Sequence, residues 1–107
     1  MKFPLIIEPS AESDLRAAFG WYENQVLGLG HEFPVLIRTC FSRLERTPEI
    51  YPPILGKLRR ARIDRFPFGV FYIVSNETSY VLGVMHHSKN PEAWMKRIKI
   101  WGRAGGS

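Results

Sequence analysis

Phe33, Leu36, Ile37, Cys40, Phe41 and Leu44 recur at steps of three and four along one stretch of this chain. That spacing lays six apolar side chains along one face of an α-helix, because 3.6 residues complete a turn. Such a stripe must be covered by other apolar surface, and a candidate cover lies just upstream. Ala11, Leu15, Ala18, Phe19, Tyr22 and Val26 repeat with the same period. Gly28 and Gly30 separate the two stripes and end the first helix, since glycine accepts the left-handed geometry of a helix C-terminus. A link this short predicts two antiparallel helices packed as a hairpin. Ser10 is a plausible N-cap of the first helix, with Glu12 and Asp14 in its first turn, where the helix dipole favours acids. Pro34 is tolerated only in a first turn, so the second helix should begin near His31, and Pro48 stops it.

The flanking segments read as strands. Residues 2–8 are apolar and β-branched, and Pro9 closes them. Pro52, Pro53 and Gly56 mark a loop. Three strand-like runs follow, at residues 57–64, 68–75 and 79–86, with turns at Phe66-Pro67-Phe68-Gly69 and Ser75-Asn76-Glu77. Close spacing implies an antiparallel meander. Alternation places Val70, Tyr72 and Val74 on one face and Phe71 and Ile73 on the other, and it groups His86 with Tyr80, Leu82 and Val84. Asn90-Pro91-Glu92 opens a short last helix with a cap, a proline and an acid, and that helix should carry Trp94 and Arg97. The order is β-α-α-β-β-β-α, an α+β architecture: an N-terminal strand, a helical hairpin, a three-stranded meander and a C-terminal helix. Residues 1–101 form one domain, and the Gly-rich 102–107 a flexible tail.

A length of 107 residues is enough for one core. An apolar fraction of 45% disfavours disorder. Cys40 is the single cysteine, so no intramolecular disulfide forms; a reducing compartment fits, with Cys40 as a small buried hydrophobe. No apolar run is long enough for a membrane span, and the first residues are broken too early for a secretory signal, so a cytoplasmic protein with no membrane partner is expected. The net charge of +5 is unevenly spread. Residues 1–53 carry −2 and residues 54–107 carry +7. A basic half-chain suits a polyanion or an acidic protein partner.

Lys57, Arg59, Arg60, Arg62 and Arg65 fall within nine residues of one expected strand. Alternation sets Lys57, Arg59 and Arg65 on one face and Arg60 and Arg62 on the other, which argues for a strand near a sheet edge. The arginine fork donates two parallel hydrogen bonds to phosphate or carboxylate, so these five residues are the candidate binding set. His86 and His87 point to opposite faces and cannot share a metal, and no other cluster has metal spacing; neither a metal nor a cofactor is expected. The sequence holds no phosphate-cradling glycine loop, dinucleotide fingerprint or nucleophile elbow, and no small-molecule substrate is expected.

Several ordered pieces resemble a known family. Glu12 to Leu15, Trp21-Tyr22-Glu23 and Gly28-Leu29-Gly30 with Phe33 resemble the opening hairpin of RelE/ParE superfamily toxins. Pro48-Glu49-Ile50-Tyr51-Pro52 resembles the loop after it. Arg59-Arg60, Arg65-Phe66-Pro67-Phe68 and Val70-Phe71-Tyr72 resemble the central strands, and His86, Pro91, Trp94 and Arg97 the closing stretch. The resemblance spans about residues 5–97. It implies a bacterial toxin of a type II toxin–antitoxin pair, a growth inhibitor silenced by a cognate antitoxin. Within the superfamily, RelE-like members cut messenger RNA on the ribosome and ParE-like members poison DNA gyrase. Gly69 stands where RelE-like nucleases carry an arginine, and no tyrosine follows Tyr80, so the pattern resembles the ParE-like, plasmid stabilization branch. That branch implies action by binding rather than as an enzyme. Under the nuclease alternative, Arg59 and Arg62 would hold phosphate and His86 would serve as general acid. A third alternative is a degenerate chain that binds antitoxin without toxicity. An acidic amphipathic partner segment is expected on or near the Lys57–Arg65 strand.

Overall fold

A computed structural model describes residues 1–25 and 29–103. Val26 and Gly28, read as the end of the first helix, lie outside the described residues. Strand β1 (Leu5–Ile7) leads into helix α1 (Pro9–Gln25), and α2 (Leu29–Arg46) follows. Strands β2 (Pro53–Leu55), β3 (Leu58–Arg62), β4 (Phe68–Ser75) and β5 (Thr78–His86) come next, and α3 (Pro91–Arg103) closes the chain. The sheet order is β1-β5-β4-β3-β2. β1 runs parallel to β5, and the other pairs are antiparallel.

The helical hairpin covers one sheet face. Ala11, Ala18 and Tyr22 of α1 and Phe33, Ile37, Cys40 and Leu44 of α2 meet Ala61, Val70, Tyr72, Val81 and Val84 of the sheet. Tyr22 stands edge-on to Phe66 at 4.4 Å between centroids and contacts Phe33 at 5.5 Å. Of the expected α1 stripe, Phe19 is exposed. The opposite face is smaller and belongs to α3. Leu58, Phe71, Ile73, Leu82 and Met85 pack there against Trp101, with Trp94 and Ile98 at the margin. The expected faces of β4 are thus the observed ones.

Several boundaries differ from the sequence reading for local reasons. α1 starts at Pro9, whose fixed φ suits a first helical position. Ser10 is therefore not the cap, and its hydroxyl donates to the Leu82 carbonyl at 2.8 Å. Asp14 lies beyond the first turn, and Arg97 takes its carboxylate. α2 begins at Leu29, two residues before His31, so Gly30 lies inside it and Pro34 falls in its second turn. The first strand is only Leu5–Ile7 and the third only Leu58–Arg62. The segment read as a loop contains β2, an edge strand on which a proline costs little, because an outward-facing position needs no N–H. Phe68 and Gly69 belong to β4 rather than to the turn before it. Asn76 and Glu77 both have positive φ, 51° and 64°, the backbone of a two-residue type I′ hairpin between Ser75 and Thr78. Asn90 caps α3 through its Oδ1, which accepts the Ala93 N–H, and the helix runs on through Gly102 and Arg103.

One irregularity matters for the site. Phe71 pairs with Gly83 while Tyr72 pairs with Val81, so Leu82 is an extra residue in β5. Such a bulge shifts the alternation beyond it. Tyr80, Leu82 and Met85 face α3, whereas Val81 and Val84 face the hairpin. His86 follows Val84: its ring stands edge-on to Phe68 at 5.5 Å, on the hairpin side. The expected grouping of His86 with Tyr80 and Leu82 is therefore incorrect.

Candidate interaction site

The five basic residues of the expected binding strand meet different fates. Arg59 points to the hairpin side and donates to the Tyr51 carbonyl and, at 3.3 Å, to that of Glu49. Tyr72, fully buried beside it, donates its hydroxyl to the Pro48 carbonyl at 2.8 Å, and Arg43 donates to the Tyr51 hydroxyl at 2.8 Å. Arg59 and Tyr72 thus fasten the 48–51 loop to the sheet, and Arg43 fastens it to α2. Burial pushes the Tyr72 hydroxyl well above the ordinary tyrosine range, and the Tyr51 hydrogen bond holds Arg43 more firmly protonated. Arg60 points the other way and lies over the rings of Trp94 and Phe71, its guanidinium carbon 5.5 and 6.0 Å from their centroids. Arg65 is not on the strand at all; it sits in the following turn with φ of 66°. Lys57, Arg62 and Arg65 are exposed.

A second arrangement, invisible in the sequence, gathers around β5. β1 pairs with β5 only as far as Val81, and among the described residues no strand flanks β5 on that side beyond it. Asp14 of α1 and Arg97 of α3 occupy the vacated edge. Asp14 Oδ2 accepts the Val84 N–H at 2.9 Å, and Arg97 Nη1 donates to the Leu82 carbonyl at 3.1 Å. The two side chains also bond each other bidentately, at 2.7 and 2.9 Å. These hydrogen bonds to Asp14 hold the guanidinium more firmly protonated. The pair offers β5 one acceptor and one donor, as a neighbouring strand would. Gly83 makes the approach possible: a Cβ there would lie 2.8 Å from Arg97 Nη1 and 3.2 Å from Asp14 Oδ2.

Above this pair lies a groove of about 820 Å³ between α1 and α3. Ala17 and Trp21 line one wall, Ala93, Lys96 and Ile100 the other, and His86 and Lys89 one end. His86 is half-buried, and its Nδ1 accepts the Ser88 N–H at 3.0 Å. Of the four closing-stretch residues, His86 and Arg97 line the groove, Pro91 starts α3, and Trp94 packs on the sheet. Among the described residues no group of three or more His, Cys, Asp or Glu side chains is placed to hold a metal, and no helix is long and apolar enough to cross a membrane.

The architecture is thus a mixed five-stranded sheet under a helical hairpin, with a groove beside its last strand lined by Trp21, Ile100, Lys89 and Lys96. Residues 5–91 match the sequence profile of the ParE toxin of the type II toxin–antitoxin system parDE. The chain belongs to this family: it is a ParE-type toxin. The fold is shared with a chain of the chromosomal ParDE system of P. aeruginosa, at a TM-score of 0.59 and 16% identity over 79% of this chain and 96% of that one. It is shared too with a chain of the RelBE2 toxin–antitoxin complex of Mycobacterium tuberculosis, at a TM-score of 0.57 and 18% identity over 80% and 99%. Among curated proteins no significant sequence match is found.

Proposed function

We propose that this toxin arrests growth by binding its target, DNA gyrase, and that a tightly bound antitoxin silences it. The observation carrying the reading is that the candidate nuclease residues do not converge. Arg59 is committed to backbone carbonyls of the 48–51 loop. Arg62 shares the α3-side face of β3 with Leu58 and Arg60, whereas His86 contacts Phe68 on the hairpin side. A phosphoryl-cleaving site needs its acid and its cations within reach of one phosphate. The exposed cations Lys57, Arg62 and Arg65 instead offer a surface to an acidic or polyanionic target. An antitoxin partner agrees with the family and with the complexes in which its structural neighbours occur.

One feature favours the rival reading. His86 shares its groove with Lys89 and Lys96, so a nuclease would be built there, without Arg59 or Arg62. Induced expression followed by two assays separates the readings. Growth arrest with loss of gyrase supercoiling and intact messenger RNA is expected. Arrest with ribosome-dependent RNA cleavage and unimpaired gyrase would transfer the function to the groove histidine.

A further inference from the structure

We propose that this chain pairs with a second copy of itself through a hollow at the foot of the sheet, where the 48–51 loop meets the β4–β5 hairpin. The hollow lies at the opposite end of β4 and β5 from Phe68 and His86. The inference is independent of the toxin's target.

The hollow measures about 580 Å³. Phe3 and Val74, both half-buried, give it an apolar floor. Ile50 stands on its rim, 55% exposed. Apolar side chains grouped at a surface and rimmed by charge mark a partner surface. Arg46 and Glu49 rise from the end of α2 and the loop after it, and Glu77 from the β4–β5 hairpin. All three are exposed, and among the described residues none of them forms an ion pair within the chain.

The mixture of features on this patch selects the partner. A two-fold contact between identical chains must be self-complementary, each feature meeting its counterpart on the same patch of the other copy. Here a knob, Ile50, stands beside a hollow, and a cation, Arg46, stands across from an acid, Glu77. Reciprocal seating lays the loop wall of each copy against the hairpin wall of the other. Ile50 of each copy then enters the Phe3–Val74 floor of the other, and Arg46 of each faces Glu77 of the other. Two ion pairs thus flank an apolar centre, the arrangement of a specific interface.

The surfaces are also held ready. The Phe3 N–H donates to the Glu45 carbonyl at 2.7 Å, and the Ile50 N–H to the Thr47 carbonyl at 3.1 Å. Arg59 and Tyr72 hold the same loop against the sheet. Glu77 sits at φ of 64° in a two-residue turn. Backbone that is already ordered has little freedom to lose on association, which favours even a small interface.

Sedimentation of the purified full chain over a concentration series reads the association. A dimer is expected, and Ile50→Glu, Arg46→Glu and Glu77→Arg should each raise its dissociation constant at least tenfold. Lys99→Glu reverses a charge on α3, over the other face of the sheet, and should stay within threefold of wild type. Circular dichroism and melting confirm that each variant is folded. The decisive sample is an equimolar mixture of the Arg46→Glu and Glu77→Arg chains. Each variant alone sets like charges against each other at both contacts, whereas the mixed dimer pairs opposite charges at both. The mixture should therefore associate within threefold of wild type. A wild-type chain that stays monomeric up to about 100 μM would overturn the inference. So would a dimer that Ile50→Glu leaves intact, or a mixture that associates no more tightly than its two components. A loss in Lys99→Glu equal to that in Arg46→Glu would reduce the effect to net charge and overturn the interface as well.

Discussion

Arg97 and Asp14, 83 positions apart in the chain, form a bidentate ion pair that ties α3 to α1 across the open edge of β5. Their side chains are 22% and 18% exposed, so water screens the pair only partly. Removing Arg97 leaves a half-buried carboxylate and takes one of two donors from the Leu82 carbonyl, which keeps the Ser10 hydroxyl. Arg97→Ala should lower stability by about 2–4 kcal/mol, the range for breaking a partly buried, hydrogen-bonded pair. Urea unfolding measures this, and α3 should lose amide protection before the sheet does. A loss under about 0.5 kcal/mol, typical of exposed pairs, would show that the pair is ornamental.

Gly83 gives the same arrangement a second handle. A methyl group there must push the guanidinium or the carboxylate aside, since it would fall 2.8 Å from one and 3.2 Å from the other. Gly83→Ala should cost about 1–3 kcal/mol alone. In an Arg97→Ala background its cost should shrink, because the nearer obstacle is gone. The double-mutant cycle should yield a coupling above about 0.5 kcal/mol. Simple additivity would mean that the strand, rather than the ion pair, rejects the methyl group.

Much of this fold is legible in local pattern. The 3.6-residue stripe of α2 and the two-residue alternation of β4 predict the faces observed for Phe33 to Leu44 and for Val70 to Val74. The site is less legible, because its causes are not local. The bulge at Leu82 turns His86 to the other face, and no residue type in β5 announces it. β2 is hidden by two prolines and a glycine that read as a loop and yet suit an edge. The β3 basic cluster reads as one binding set spread over two faces, but Arg59 and Arg60 are spent on the 48–51 loop and on Trp94, and only the folded structure shows it. The Asp14–Arg97 pair has no signal in the spacing.

Alkaline pH should weaken the fold in steps. Cys40 is 3% exposed, and burial pushes its thiol from 9.0 to about 11. An acid whose pKa is higher in the folded state keeps its proton longer there, so the unfolded chain ionises first. Its contribution is complete below pH 9.0 and is lost as pH climbs to about 11, at about 1.4 kcal/mol per pH unit. Tyr22 and Tyr72, also raised by burial, extend the decline above pH 10.0. Urea midpoints should fall between about pH 8 and about pH 10.5, and Cys40→Ala should flatten the first part of the profile. Identical slopes in the two proteins would remove Cys40 from the account.

Trp101, rather than Trp94, should be the main anchor of α3. Trp94, which the sequence places on this helix, is only half-buried, shared between Phe71 and the Arg60 guanidinium. Trp101 is 9% exposed and lies against Tyr80 at 5.4 Å. Trp101→Ala should cost about 3–5 kcal/mol, as for other deeply buried aromatics. Trp94→Ala should cost less, about 1–3 kcal/mol, because less area leaves water. The reverse ranking in thermal melts would contradict the packing described above.

His86→Gln should leave growth inhibition intact. The imidazole sits edge-on to Phe68 and accepts the Ser88 N–H, contacts that shape the end of β5. Glutamine keeps an acceptor and most of the bulk, so the fold should lose about 1 kcal/mol or less. A toxin that works by binding then arrests growth as before and still takes up its antitoxin. A nuclease that depends on this ring as general acid would lose about 10²–10⁴-fold in cleavage rate. The decisive measurement pairs a growth curve with RNA mapping of the same induced cells. A folded, antitoxin-binding His86→Gln variant that neither arrests growth nor cuts RNA, beside a wild type that does both, would move catalysis to the groove and displace gyrase as the target.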